Sequence, residues 1–250
     1  MHDALNALGV RGVDARDLPA LVARPDVLLL DVRQTLEHEE WRLVDSANVP
    51  YAIPDPNVAR RVVGYAVSIK GGLKVRNPAF VDETRAAVES AETETSIAID
   101  RIVLIDTKGG DLDAEPVRAG SSGVYDPTDA ACLRAAFELT QSGDFPAARV
   151  AYARGGLPAA IEDAGMAYES AKWGAFLSWL DRTGRGETRR LLMYSRLLPD
   201  PTNLPGVVGQ GAVFLILGLA YYDVGGVGTC LLYTSPSPRD QRGSRMPSSA

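Results

Sequence analysis

Two short, almost wholly apolar runs do most to narrow what this chain can fold into. Val27–Val32 (VLLLDV) lies between Pro25 and Arg33, and Arg101–Ile105 (RIVLI) stops at Asp106. Each is too short for a helix, and neither alternates polar with apolar, so each reads as a strand buried on both faces of a parallel sheet. Val150–Tyr152, ended by Gly155-Gly156, is a third such strand, and Asn48-Val49-Pro50 is a short extended piece. Helical periodicity separates these strands. It is expected over Asp17–Arg24 with Leu18, Leu21 and Val22 inward, over the polar Gln34–Arg42, and over Ala59–Ile69. Phe80–Glu94 reads as a helix with Val81, Ala87 and Val88 toward the core, and Asp129–Ser142 as one with Cys132, Ala136 and Leu139 inward and Gly143 closing it. Strands alternating with helices predict an α/β fold, a parallel sheet flanked by helices. Trp173–Leu180 and Glu187–Leu198 add a helical C-terminal extension. The expected division is a domain over 1–168, a helical extension over 169–205 and an apolar segment over 206–229.

Charge excludes one class of partner. The chain of 250 residues carries a formal net charge of −6, whereas nonspecific nucleic-acid binding needs clustered Lys and Arg to neutralise phosphates. Arg60-Arg61 and Arg182–Arg190 are short and read as solvated helix faces. The two cysteines, Cys132 and Cys230, form neither a disulfide framework nor a CxxC metal pair. His2 and His38 are isolated and read as surface residues. The first residues have no basic n-region followed by an apolar core, so no signal peptide is expected there.

Val207–Tyr222 is almost wholly apolar. A spanning helix needs roughly 20 apolar residues, a length reached here only by accepting Gln210 and several glycines. The segment fits a membrane anchor or a buried core helix. The anchor is the expectation, with Tyr221-Tyr222 suited to an interfacial belt. The last stretch, Cys230–Ala250, is Ser-, Pro- and Arg-rich. Cys230–Asp240 resembles an in-frame translation of the transposase adapter of short-read sequencing libraries, and Ser244–Ala250 that of the outer flow-cell adapter. It is therefore set apart from the fold, as an expression scar would be.

Three separated motifs carry a resemblance to a known family. Leu30-Asp31-Val32-Arg33, then Glu37, then Leu43 through Asp45-Ser46-Ala47-Asn48-Val49-Pro50-Tyr51 form the first. The strand Ile102–Ile105 is the second, and Val150–Leu157 with Gly155-Gly156-Leu157 is the third. In order and spacing, over about residues 10 to 168, they resemble the rhodanese (sulfurtransferase homology) family. Asn77-Pro78-Ala79-Phe80, Gly109-Gly110 and Leu133-Arg134-Ala135-Ala136-Phe137 further resemble the plant and algal chloroplast subgroup. That subgroup resemblance alone implies a chloroplast location, at a thylakoid or other plastid membrane, with a cytoplasmic location as the alternative.

In the resembled family a cysteine at the end of the central strand carries sulfur as a persulfide, inside a curl of backbone N–H groups at a helix N-terminus. Here that position is Asp106. A carboxylate forms no persulfide, and it places negative charge where an anionic donor would sit. The same argument excludes the cysteine-dependent phosphatases of this fold. The subgroup's anion-holding arginine falls on Ala131. The former active-site loop is Thr107, Lys108, Gly109, Gly110 and Asp111, opening a long Gly-, Asp- and Ser-rich segment to Thr128.

The expectation is a catalytically inactive module that binds or scaffolds an unidentified protein, with no cofactor. The alternative is a thiosulfate or persulfide sulfurtransferase using Cys132, which lies near a helix start where a thiol's pKa falls. The simpler reading of Cys132 is a small buried apolar residue. Asp106 in a nest of N–H donors is expected to have a depressed pKa. Asp111, Asp113 and Glu115 lack the spacing of an EF-hand, and no metal is expected.

Overall fold

Alternate residues of a strand point to opposite faces, and in these strands both sets are apolar, so both faces must be covered. The computed structural model describes residues 1–57, 60, 73–117, 125–170, 174–194 and 215. Among them, β1 (Arg11–Val13), β2 (Val27–Asp31), β4 (Ala47–Asn48), β7 (Arg101–Ile105) and β8 (Val150–Ala153) form one five-stranded sheet in the order β1-β8-β7-β2-β4, with every pairing parallel. The protein is thus an α/β fold whose central strand is β7.

Leu28, Leu30, Ile102, Leu104, Val150 and Tyr152 face one layer. It is made by α1 (His2–Leu8) through Leu5, α4 (Phe80–Thr95) through Phe80 and Val88, and α5 (Ala131–Ser142) through Cys132, Leu133, Ala135, Ala136 and Leu139. Leu29, Val103, Ile105, Ala151 and Ala153 face the other. There they meet Leu18 of α2 (Leu18–Val22), Trp41, Leu43, Leu157, and three residues of the C-terminal helices. Those are Leu177 and Leu180 of α6 (Gly174–Arg182) and Met193 of α7 (Gly186–Tyr194). The C-terminal helices therefore complete the second layer. A two-residue strand at Tyr168–Glu169 joins them to the body by pairing antiparallel with β3 (Arg42–Leu43).

Among the described residues the structure differs from the sequence reading in six places. The edge strand β1 and the helix α1 were not expected. Neither was the hairpin of β5 (Ala52–Pro54) with β6 (Lys74–Arg76). The expected helix over Asp129–Ser142 starts at Ala131, after a 3-10 turn Pro127–Asp129 whose Thr128 N–H donates to the Asp126 carboxylate. His38, read as a surface residue, is buried on α3 (Thr35–Glu40), its Nε2 3.3 Å from both Ser46 O and Ser46 Oγ, and burial lowers its pKa. Arg189, read as part of a solvated face, is buried between Glu162 and Asp181, each at 2.7 Å. No described helix is long and apolar enough to cross a membrane. The expected helix 59–69 apart from Arg60, the segment 207–222 apart from Leu215, and residues 230–250 lie outside the described residues.

Candidate functional site

β7 is central, so the chain leaving it emerges at the middle of the sheet's C-terminal edge, where open α/β sheets place their sites. The first residue there is Asp106, 6 % exposed. Its Oδ1 accepts from the backbone N–H of Lys108 at 3.1 Å and of Gly109 at 2.5 Å, and its Oδ2 accepts from the N–H of Cys132 at 3.1 Å, at the start of α5. The loop and the helix N-terminus thus form a cradle of N–H donors, and a side chain of the same protein fills it. The loop can curl this tightly because Gly109 adopts φ +73° and packs on the backbone of Gly155 and Gly156, where a Cβ has no room. A Cβ on Gly110 would stand 2.6 Å from Leu133 Cγ.

The carboxyl of Asp106 titrates above its ordinary value, the opposite of the expected depression. Burial is the largest cause and outweighs the three N–H donors, and the nearby charge of Asp31 pushes the same way. No cationic side chain bonds this carboxylate among the described residues. The nearest candidate in the loop, Lys108, sets its ammonium 4.6 Å above the ring of Tyr125 instead. Tyr125 O–H donates to Gly109 O and closes the loop from outside.

Cys132 is fully buried in the first layer's core and does not line the cleft described below. Burial, and then the charge of Asp106, push its thiol pKa well up. The helix-start argument for a lowered pKa fails because burial and the adjacent Asp106 carboxylate both oppose the thiolate, while the N–H of Cys132 is given to Asp106.

A cleft of about 730 Å³ opens beside Asp106. Of the loop residues singled out in the sequence, Thr107 and Lys108 line it. Gly109 and Gly110 are buried beneath it, and Asp111 instead bonds Pro127 O and the Asp113 N–H. Ala131 lines the cleft as a methyl group, and one turn along α5 Arg134 reaches the same cleft, its Nε 2.8 Å from Asp129. Three cations absent from the sequence reading of the site also line it: Arg33, Lys74 and Arg76. Lys74 pairs with Glu37 at 3.1 Å and Arg76 pairs with Glu138. Five cations therefore face three carboxylates, Glu37, Asp106 and Asp129.

Arg33 is fixed most firmly. Its guanidinium bonds Asp31 through Nε at 2.9 Å and Nη2 at 2.7 Å, donates to Trp41 O at 2.8 Å, and lies 4.5 Å from the centre of the Trp41 ring. Gln34 also lines the cleft, and nothing in the sequence singled it out. Among the described residues, no group of three or more His, Cys, Asp or Glu side chains is placed to hold a metal ion.

No family model matches the chain, and no curated protein matches it. Solved structures similar to it include a rhodanese-like domain from Anabaena sp., 17 % identical, covering 64 % of this chain and 78 % of that one with a TM-score of 0.35. A rhodanese-related protein from Thermoplasma volcanium is 18 % identical, covering 64 % and 97 %, with a TM-score of 0.31. An As-Sb reductase from Leishmania major is 14 % identical, covering 69 % and 99 %, with a TM-score of 0.35.

Proposed function

We propose that this chain is a catalytically silent rhodanese-like module that works by binding a protein partner. The observation that carries the reading is the Asp106 carboxylate seated on the N–H groups of Lys108, Gly109 and Cys132. In sulfur transfer a thiolate attacks the sulfane sulfur of thiosulfate, sulfite leaves with the electrons of the broken S–S bond, and cyanide then takes the sulfur from the persulfide as thiocyanate. Asp106 has no sulfur to hold, and its carboxylate already occupies the donors that would bind the anion. Cys132 is disfavoured as a substitute carrier because a buried thiol with a raised pKa supplies little thiolate and meets no substrate. The subgroup resemblance supports a chloroplast location, with 207–222 as a membrane contact.

The purified protein is expected to release no thiocyanate from thiosulfate and cyanide above the buffer rate. Turnover that Cys132→Ser abolishes would replace this reading by sulfur transfer through Cys132.

A further inference from the structure

Gln34 is 4 % exposed and lines the cleft, yet among the described residues neither its Oε1 nor its Nε2 has a hydrogen-bond partner. It precedes α3 without bonding that helix's amides. Burying polar groups without partners costs about 1–3 kcal/mol for each. Leucine would fill a similar volume at no such cost, so the sequence keeps at this wall a group that weakens the fold. A carboxamide presents an acceptor and two donors, the complement of a peptide unit. A ligand that brings a peptide N–H and C=O to this wall recovers what the burial of Gln34 loses.

The charges beside it select the kind of peptide. Counted with Asp31 and Glu138, which pair with Arg33 and Arg76, cations and carboxylates balance at the cleft, but the exposed groups at its mouth are mostly cationic: Lys108, Arg76 and Arg134 against Asp129. Lys108 is exposed and has a ring, not a carboxylate, beneath its ammonium. Arg76 and Arg134 hold Glu138 and Asp129 in pairs whose arginines are about half exposed. Pairs of that kind contribute about 0–1 kcal/mol, so an incoming carboxylate can exchange with them. An inorganic anion, by contrast, finds the N–H cradle already filled by Asp106. What remains is side-chain recognition spread over about 730 Å³, the scale of several residues and not of one ion.

We propose that the cleft binds an acidic peptide segment of a partner, with Gln34 bonding one of its peptide units and Lys108, Arg76 and Arg134 meeting its carboxylates. This rests on the binding-module reading and names the partner's chemistry.

The test uses the full chain and a fluorescein-labelled hexaglutamate peptide, followed by anisotropy at low salt. Wild type binds, and Gln34→Leu weakens binding about 10-fold, as loss of hydrogen bonds to a neutral group does. The same variant is more stable than wild type in urea, an outcome that a merely structural glutamine would reverse. Lys108→Met, at an exposed position, also weakens binding and leaves the urea midpoint unchanged. The proposal is overturned if the peptide does not bind, if Gln34→Leu binds it as wild type does or is less stable, or if inorganic phosphate competes equally well. Thiocyanate release by the same preparation separates the two claims. Turnover removes the binding-module reading itself, whereas a silent protein that ignores the peptide removes only this inference.

Discussion

Asp106→Ala is expected to turn a closed site into one that takes formate. The substitution removes a carboxylate and leaves the N–H groups of Lys108, Gly109 and Cys132 facing the space it occupied. Orphaned buried donors cost about 1–3 kcal/mol each, partly offset by entering water and by loss of a buried charge. The variant is therefore expected to be less stable than wild type by about 1–3 kcal/mol in formate-free buffer. Formate restores the deleted group. At ten times its dissociation constant a ligand specific to the folded state contributes about 1.4 kcal/mol, or about 3–6 °C in Tm for a chain of this size. Wild type, whose cradle is full, shows no such rise at matched ionic strength. Equal shifts in both proteins would mean that the carboxylate does not occupy an anion site.

Asp31→Ala is expected to cause the largest loss of stability, about 3–5 kcal/mol, because it leaves the Arg33 guanidinium buried without its counter-charge. Both side chains are almost wholly enclosed, at 3 % for Arg33 and 0 % for Asp31. The loss reaches beyond one ion pair. Arg33 also holds Trp41 through its carbonyl and its ring, and Trp41 is part of the second layer's core. Replacing both partners by apolar residues of similar volume recovers most of the loss, since the cost lies in the stranded charge and not in the missing pair. Urea unfolding of the single and double variants measures both effects. A single variant within about 0.5 kcal/mol of wild type, the range of ordinary surface substitutions, would contradict this account of the cleft wall.

The strands that build the sheet's centre were legible because β2, β7 and β8 are buried on both faces and so read as almost wholly apolar runs, with Asp31 and Arg101 at strand ends. The edge strand Arg11-Gly12-Val13 has no such run, and its pairing with β8 joins residues far apart in sequence. The hairpin of β5 with β6 is likewise set by a distant partner and includes Pro54. The place of Asp106 after the central strand could be read from the sequence, whereas its N–H donors come from two places, Lys108 and Gly109 in the loop that follows and Cys132 at the start of α5. The direction of its titration could not, because depth of burial is a property of the packed layers. The same holds for His38, whose polarity read as surface before α3 packed it against Ser46. Gln34 left no trace at all in the sequence, since lacking partners is a fact about its neighbours in space.

The proton on Asp106 ties geometry to stability. The folded carboxyl holds its proton more tightly than an unfolded one, whose ordinary value is 3.8. The stability this group contributes is thus full below that value and is lost as pH rises through the higher folded value. Asp106→Asn does not titrate and lacks that slope. The central claim, that this carboxylate sits in the cradle, is tested most directly by an NMR pH titration of the backbone amides of Lys108, Gly109 and Cys132. All three are expected to shift together with one midpoint above 3.8, and to lose that shift in Asp106→Asn. Amides that stay still, or that move independently of Asp106, would contradict it.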